Sequence, residues 1–245
     1  MSPACSAEDA STLAYKPPFP SAAAQARVEA RKLAAAQLLL RLRSKGFNDL
    51  SLLRAMESAP RENFVGPHQI ELALRDIALP LPCGQTIESP SELALALAAL
   101  GVAAHMRVLE VGTGSGWSAA VLSALVDTVV SVECFDVLAK SARERLERLR
   151  IDNVAVIWAD GADISPELGL FDRIVVHAAV EAPPPSLLGA LGEGGALMAA
   201  RAGAGAAQDK MERLIYRRGA GDRIEIVSLG PCRAQNLLQG LYSGR

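Results

Sequence analysis

Cysteine and histidine are scarce in this sequence, and neither forms a metal-binding pattern. The 245 residues include 4 cysteines and 3 histidines. The cysteines (5, 83, 134 and 232) are scattered singles without a C-x-x-C pair, and the histidines (68, 105 and 177) lie apart from them. This spacing argues against a structural zinc site and against a disulfide framework, so we expect no metal. Free thiols are typical of proteins in a reducing compartment.

The sequence also lacks a basic excess and a long hydrophobic run. The net charge is −2 and no basic tract occurs, so no nucleic-acid partner is indicated. The longest nearly apolar run, residues 93–104, is too short to cross a bilayer. The N-terminus lacks a basic segment followed by an apolar one, which is the pattern of a signal peptide. Together these features predict a soluble protein of the cytoplasm, without a membrane partner.

Half of the residues are hydrophobic, enough to bury a sizeable core. Residues 1–20, rich in Ser, Ala and Pro, are predicted to form a flexible tail. Residues 21–245 are predicted to form a single domain with three parts. These are a helical lead-in at 21–75, a cofactor-binding core at 76–203, and C-terminal strands with a tail at 204–245.

Within the core, short β-type runs alternate with helical segments. Runs such as R-V-L-E-V (107–111), V-V-S-V-E (129–133) and R-I-V-V-H-A (173–178) are separated by segments of helical pattern. This alternation predicts an α/β fold with a doubly wound, mainly parallel sheet. The runs at 213–218 and 223–229, joined by Gly-Ala-Gly-Asp, predict an antiparallel hairpin at the sheet edge.

A glycine-rich loop follows the first of these strands directly. The segment Glu110–Trp117 reads E-V-G-T-G-S-G-W and leads into a predicted helix. Glycines let a ligand approach the backbone closely, and amides at a helix N-terminus can meet polar groups. The spacing G-x-G-x-G after an acidic strand residue is typical of the S-adenosyl-L-methionine site of class I methyltransferases, although a plain strand-to-helix turn would also explain it.

Acidic residues at the ends of the next two strands strengthen this interpretation. Glu133 can accept hydrogen bonds from both ribose hydroxyls. Asp160 stands where it could bond an adenine amino group, although a lone strand-end Asp is usually a helix cap. The predicted cofactor-binding residues are Gln85, Glu110, Gly112, Thr113, Gly114, Ser115, Glu133, Asp160 and Gly161.

The methyl acceptor is suggested by a resemblance rather than by spacing. From about residue 36 to residue 203 the chain resembles the protein-L-isoaspartate (D-aspartate) O-methyltransferase family. The matching motifs include A-P-R-E-N-F-V (59–65), D-I-A-L-P (76–80), G-Q-T-I (84–87) with Pro90, V-L-E-V-G-T-G-S-G (108–116) and G-E-G-G (192–195). The resemblance implies a sheet with added N-terminal helices and C-terminal strands. It also implies methyl transfer from adenosylmethionine to the α-carboxylate of isoaspartyl residues in damaged proteins.

The chain departs from the family where the acceptor is expected to bind. Aligning Pro90 places Glu88 at the position of the family's active-site serine, with Ser89 one place later. His177 replaces the threonine that usually precedes two alanines after the fourth strand. The family's L-P-V-G loop and closing F-V-P-L strand are also replaced. The candidate catalytic residues are therefore Thr86, Glu88, Ser89 and His177.

Glu88 is unfavourable for the family reaction. Two carboxylates about 4 Å apart at an effective dielectric of about 20 repel each other by roughly 4 kcal/mol. Either Glu88 turns outward and Ser89 donates instead, or the acceptor is not a carboxylate and Glu88 or His177 serves as a base. Glu88 could also simply accompany the N-terminus of the next helix, and His177 could be a loop histidine bonded to backbone. Arg201 and Arg233 could supply a positive charge for a carboxylate, or could be solvated surface residues.

Three functions remain open at this level. The first is an isoaspartyl O-methyltransferase acting on proteins or peptides. The second is a diverged relative that methylates a different small molecule or peptide. The third is a non-catalytic adenosylmethionine-binding sensor. The sequence does not predict an oligomeric state.

Overall fold

The computed structural model describes residues 22–201 and 211–243. The predicted tail at 1–20 lies outside these residues. Two helices come first among the described residues, α1 (Ala22–Ser44) and α2 (Leu50–Ser58). Asp49 caps α2, because its carboxylate accepts hydrogen bonds from the backbone N–H groups of Ser51 (2.8 Å) and Leu52 (3.2 Å).

A short antiparallel ribbon links the lead-in to the main sheet. Its strands are β1 (Leu79–Pro80) and β2 (Thr86–Ile87), joined across a tight turn at 82–84. Helix α3 (Pro90–Leu100) follows at once. Proline at the first helical position suits this start, and Gly101 ends the helix in a left-handed conformation (φ 60°).

The main sheet has seven described strands in the order β5-β4-β3-β6-β7-β8-β9. The pairs from β5 to β7 are parallel, and β8 and β9 add an antiparallel hairpin at one edge. The predicted fold class and edge hairpin are therefore confirmed. The strands are β3 (Arg107–Val111), β4 (Thr128–Glu133), β5 (Val154–Trp158), β6 (Phe171–Val180), β7 (Leu191–Arg201), β8 (Met211–Arg218) and β9 (Ile224–Cys232).

The core lies in two layers, one on each face of the sheet. One cluster joins α1–α3 and Trp117 to residues such as Val175, Met198 and Ile215. The other gathers Leu109, Ile174 and Leu197 with residues of the 164–191 region. The remaining described helices are α4 (Trp117–Ser123), α5 (Asp136–Arg148) and α6 (Pro185–Gly189). Because alternate residues of a strand face opposite layers, this division decides which side chains can meet at the sheet's end.

Two features differ from the sequence prediction. Strand β6 extends beyond the predicted run 173–178 at both ends, because Phe171 pairs with Leu191 and Val180 pairs with Arg201 of β7. In addition, residues after β9 cross the carboxyl edge of the sheet instead of leaving it. Ala179 pairs with Asn236, and Phe135 pairs with Tyr242. Within the described helices, none has the length and apolar character needed to cross a membrane.

Candidate active site

A cavity of about 590 Å³ opens at the carboxyl edge of the parallel strands. This is the edge at which open α/β sheets bind ligands, and the volume is in the range of small-molecule sites. The glycine loop and the end of β4 line one end of the cavity, and residues 85–89 line the other. Ten predicted site residues line it: Gln85, Thr86, Glu88, Ser89, Gly112, Thr113, Gly114, Ser115, Glu133 and His177.

The loop after β3 presents backbone rather than side chains to the cavity. Gly112 and Gly116 have φ values of 96° and 86°, a left-handed conformation that favours glycine. Gly112 N–H donates to the carbonyl of Val132 (2.9 Å), which ties the loop to the neighbouring strand. The loop then enters α4 at Trp117. The result is an open backbone turn beside the cavity.

Glu133 ends β4 with a buried carboxylate at the cavity wall. One oxygen accepts from Gly114 N–H (2.8 Å) and the other from Phe135 N–H (3.1 Å). Each carboxylate oxygen can accept more than one hydrogen bond, so the group retains capacity for a ligand's hydroxyls. The same carboxylate fixes the glycine loop in place.

Glu110, in β3 just before the glycine loop, supports the loop and His177 through hydrogen bonds. It is fully buried, does not line the cavity, and accepts hydrogen bonds from Ser131 and His177. Ser131 in turn contacts the Thr113 hydroxyl. The predicted cofactor role of Glu110 stays a prediction, and its observed contacts hold the loop and His177.

Asp160 and Gly161 also lie outside the cavity lining. The Asp160 carboxylate accepts from Ala162 N–H (2.8 Å) and from Gly240 N–H (2.6 Å) of the C-terminal segment. Gly161 packs so closely that an added Cβ would lie 2.3 Å from Cγ1 of Val111. The adenine contact predicted for Asp160 remains a prediction, whereas the need for glycine at 161 has a steric cause.

These residues fit an adenosylmethionine-type cofactor. The backbone turn at 112–116 and the carboxylate of Glu133 occur at the ends of adjacent strands and face one cavity. Because Gly112 and Gly114 carry no side chain, a ligand in the cavity can approach the backbone closely, and a strand-end carboxylate suits ribose hydroxyls.

The opposite end of the cavity is formed by the acceptor segment, residues 84–90. Arg61 holds this segment from behind. Its Nη2 donates to the carbonyls of Glu88 (2.7 Å), Ile77 (3.0 Å) and Ile87 (3.3 Å). The Arg61 guanidinium also lies over the Trp117 ring, 5.1 Å from its centroid. Burial lowers the pKa of Arg61 to about 10, so it remains charged at neutral pH. The arginine of the P-R-E-x-F motif is thus a link between the acceptor segment and α4.

Ser89 lines the cavity, and its hydroxyl is partly engaged at a helix end. It is the N-cap of α3, where its hydroxyl accepts from Glu92 N–H (3.4 Å) and its side chain is largely buried. Thr86, by contrast, is exposed in β2 and lines the cavity.

Glu88 neither turns outward nor caps the helix, because it pairs with His177. The Glu88 Oε1 lies 3.0 Å from His177 Nδ1, and the Glu110 Oε1 lies 3.1 Å from His177 Nε2. The Ser118 hydroxyl is 3.0 Å from the same Nε2. The imidazole therefore bridges a carboxylate of the acceptor segment and one beneath the glycine loop.

This arrangement favours a charged imidazole. Burial alone would lower the pKa of His177, but the Glu88 charge and the hydrogen bonds to Glu110 and Glu88 raise it to about 10. Burial alone would raise the pKa of Glu88, but the His177 charge and hydrogen bond outweigh it and lower the pKa below its ordinary value. The contacts with two carboxylates thus favour an imidazolium beside an ionised Glu88, which supports a cationic role for His177 rather than the predicted role of base.

The sequence prediction missed Arg213. This residue lies in β8, is buried, lines the cavity and forms an ion pair with Glu92 of α3. Arg201, which the sequence suggested, is instead an exposed partner of Glu212 (3.1 Å) and does not line the cavity. Arg233 is exposed and does line it. In the sequence, Arg213 stands in phase with the apolar residues that a strand directs into the core, and this pattern could have identified it.

The C-terminal segment, residues 233–243, closes one side of the cavity and was also missed. Gln235 Nε2 donates to the Gly84 carbonyl of the acceptor segment (2.7 Å). Further along, the Tyr242 ring packs against Phe135 with centroids 4.9 Å apart. The segment thus contacts both the acceptor segment and the residues that follow Glu133.

The parallel sheet, the glycine loop after β3 and the carboxylate ending β4 define a class I methyltransferase fold. The comparisons agree and are more specific. The family model for protein-L-isoaspartate(D-aspartate) O-methyltransferase matches residues 33–226, and the chain belongs to this family. The predicted resemblance is therefore confirmed.

Individual relatives carry the same name. A protein-L-isoaspartate O-methyltransferase of Rhodopseudomonas palustris (strain BisA53) is 44% identical over 190 residues, covering 78% of this chain and 88% of the relative. One from Parvibaculum lavamentivorans is 40% identical over 205 residues, covering 84% of this chain and 91% of the relative.

Solved structures show the same fold. A protein-L-isoaspartate O-methyltransferase structure has a TM-score of 0.75 at 26% identity, covering 84% of this chain and 67% of that chain. A second, from Plasmodium falciparum in complex with S-adenosyl-L-homocysteine, has a TM-score of 0.71 at 23% identity, covering 82% and 97%.

Proposed function

We propose that this protein is an adenosylmethionine-dependent methyltransferase that acts on the free α-carboxylate of isoaspartyl residues in proteins or peptides. Family membership and the fit of the cofactor end of the cavity support the reaction class. The observation that carries the acceptor assignment is the placement of His177 between the carboxylates of Glu88 and Glu110.

The pair offers no effective general base. His177 is held protonated between two carboxylates, and a Glu88 with a lowered pKa is a weak base. When bound, adenosylmethionine supplies an electrophilic methyl group, which passes to a carboxylate oxygen while the electron pair of the carbon–sulfur bond stays on sulfur. A carboxylate acceptor loses no proton in this transfer, whereas a hydroxyl or an ammonium group must lose one. The pair therefore suits a carboxylate.

His177 also reduces the repulsion that Glu88 would exert on a carboxylate acceptor. An imidazolium 3.0 Å from the Glu88 carboxylate offsets its charge toward the acceptor end of the cavity. Glu88 is therefore compatible with a carboxylate acceptor. The residues of this chain then contribute mainly by positioning, since holding the reacting atoms in line supplies much of the rate in such transfers.

Glu88 also motivates a second candidate. Its side chain is about a quarter exposed, at 24%, and lines the cavity, so a cationic group of a different acceptor could pair with it in place of His177. A diverged methyltransferase with a cationic small-molecule or peptide acceptor would use this contact. We expect the protein to act in the cytoplasm, where its free thiols stay reduced.

The test is incubation with labelled adenosylmethionine and an isoaspartyl peptide, beside the matching aspartyl peptide. We expect a base-labile methyl ester on the isoaspartyl peptide only. Measured cofactor binding without any ester would contradict the proposal. Turnover confined to cationic acceptors in a metabolite and lysate screen would favour the second candidate, and turnover on no acceptor would favour the sensor function.

A further inference from the structure

Replacement of the family's serine by Glu88 leaves the acceptor carboxylate without that hydroxyl donor. Ser89, next in the chain, accepts the Glu92 N–H at the N-cap of α3 and offers only a neutral hydroxyl to the cavity. His177 directs Nδ1 to Glu88 and Nε2 to Glu110, so both of its N–H groups already have acceptors. An anionic acceptor at this end of the cavity needs another donor with positive charge.

Arg213 occupies a suitable place. Val175 in β6, Met198 in β7 and Ile215 in β8 belong to one core layer. Two residues further toward the carboxyl edge, the same strands carry His177, Ala200 and Arg213. Because side chains alternate along strands, Ala200 and Arg213 project to the same face as Met198 and Ile215. His177 lies within a register shift of β6 and lines the same cavity. Ala200 pairs with Arg213 of β8 and with Ala179 of β6, so His177 lies two residues along β6 from the residue in register with Arg213.

The space between them belongs to the cavity. Ala200, in the intervening strand β7, contributes a small side chain and lines the cavity together with Glu88, His177 and Arg213. Arg213 also contributes to the electrostatic stabilisation of ionised Glu88, so its charge reaches the acceptor end. Of the described arginines, only Arg213 and Arg233 line the cavity, and Arg233 is exposed.

The guanidinium of Arg213 is buried and held by one ion pair, and it retains N–H donors for a ligand. Its side chain is 10% exposed, and its Nη2 donates to Glu92 Oε2. A guanidinium carries five N–H donors in a planar fork, so one ion pair leaves donors for a second carboxylate. Glu92 holds the fork in place from the first turn of α3, as a supporting carboxylate does for a binding arginine.

We propose that Arg213 is a specificity-determining residue that binds the acceptor carboxylate, in place of the hydroxyl that the family's serine supplies. The inference rests on the proposed function and adds the group that recognises its substrate. Glu92 is the positioning residue for this guanidinium, and the Glu88–His177 pair keeps the neighbouring wall from repelling the same carboxylate.

The experiment measures discrimination between charged and uncharged acceptors. Binding of an isoaspartyl peptide, and of the same peptide with its free α-carboxyl as a carboxamide, is measured in the presence of S-adenosylhomocysteine. The wild type should bind the carboxylate peptide about 10- to 100-fold more tightly, as expected for a charge-assisted hydrogen bond in a buried site. In Arg213→Gln this ratio should fall to about 1, while the affinity for S-adenosylhomocysteine stays within about twofold.

Two further variants test whether the effect is specific to the Arg213 guanidinium. Arg213→Lys retains the positive charge but not the planar set of N–H donors, so we expect an intermediate ratio of the two peptide affinities. This variant replaces Arg213→Gln if Arg213→Gln does not fold. Arg201→Gln is the matched control, since it removes an arginine of the neighbouring strand that pairs with Glu212 outside the cavity. It should keep the wild-type ratio.

The outcomes separate the two proposals. If the wild type forms the methyl ester but Arg213→Gln or Arg213→Lys keeps full discrimination, the Arg213 proposal is wrong and the proposed function stands. If the wild type binds both peptides but forms no ester, the proposed function is wrong. Equal binding of the two peptides by the wild type would overturn the role of Arg213.

Discussion

Glu88 and His177, which come from β2's C-terminal flank and from β6, meet with 3.0 Å between Oε1 and Nδ1. In the sequence resemblance both residues are departures from the family pattern, one at the position of a serine and the other at that of a threonine. Each change alone would place a charge or a desolvated imidazole beside the acceptor, whereas together they form an ion pair. The two departures therefore compensate each other.

Glu133 is expected to bind the ribose of the cofactor. Glu133→Gln should weaken S-adenosylhomocysteine binding about tenfold or more, because a carboxylate acceptor of hydroxyl hydrogen bonds is lost. Calorimetric binding of S-adenosylhomocysteine and its 2′-deoxy analogue checks this, since the variant should no longer distinguish them. A variant that still prefers the natural ribose by the wild-type factor would refute the assignment.

Arg61 is expected to hold the acceptor segment. A lysine cannot reach the carbonyls on both sides, so Arg61→Lys should lower the free energy of unfolding by about 3 kcal/mol and reduce methylation more than cofactor binding. Denaturant unfolding and steady-state kinetics measure the two effects. Arg54→Lys, on the exposed side of α2, is the control and should change neither. Equal effects of the two substitutions would show that Arg61 has no special role.

Gly161 is expected to be required for packing of the β5 end against β3. Gly161→Ala would place a methyl group 2.3 Å from Val111 Cγ1 and should lower the unfolding free energy by about 1–3 kcal/mol. Gly189→Ala is matched to it, because an added Cβ there meets nothing within 4 Å. Thermal unfolding of both variants checks the prediction, and an unchanged stability of Gly161→Ala would contradict it.

The pKa of His177 should make stability depend on alkaline pH. A histidine with a pKa of about 10 in the folded state and 6.5 as its ordinary value binds its proton more tightly when folded. Its contribution is fully present below about pH 6.5 and is lost as pH rises toward 10, at up to about 1.4 kcal/mol per pH unit. Denaturant unfolding at pH 6.5, 8 and 9.5 should show this decline in the wild type and a weaker one in His177→Gln. Parallel curves would mean that His177 is not protonated in the folded protein.

Much of this fold was predictable because its signals are local. Alternating β-type and helical runs gave the parallel sheet, Asp49 and Gly101 mark helix ends, and the glycine loop marks the edge where ligands bind. Glu133 followed from its place at a strand end. Such features depend on neighbouring residues, which the sequence displays directly.

The contacts that shape the acceptor end are not local. Arg213 and Glu92 are 121 residues apart, and Gln235 reaches Gly84 across 151 residues. Strands of two residues, as in β1 and β2, are too short to show a period. Glu88 and His177 could each be singled out as departures, but their pairing depends on how the ribbon packs over β6. Three-dimensional structure was needed to show that their charges cancel.

The most direct measurement of this account is a double-substitution cycle on isoaspartyl methylation. His177→Thr leaves an uncompensated Glu88 and should lower kcat/KM about 10- to 100-fold, mainly through KM for the peptide. Glu88→Ser alone should keep or increase activity. The double variant, which restores the family's residues at both positions, should recover at least the wild-type kcat/KM. A double variant that keeps the full loss of His177→Thr, or a His177→Thr enzyme as active as the wild type, would contradict the claim that His177 offsets the charge of Glu88.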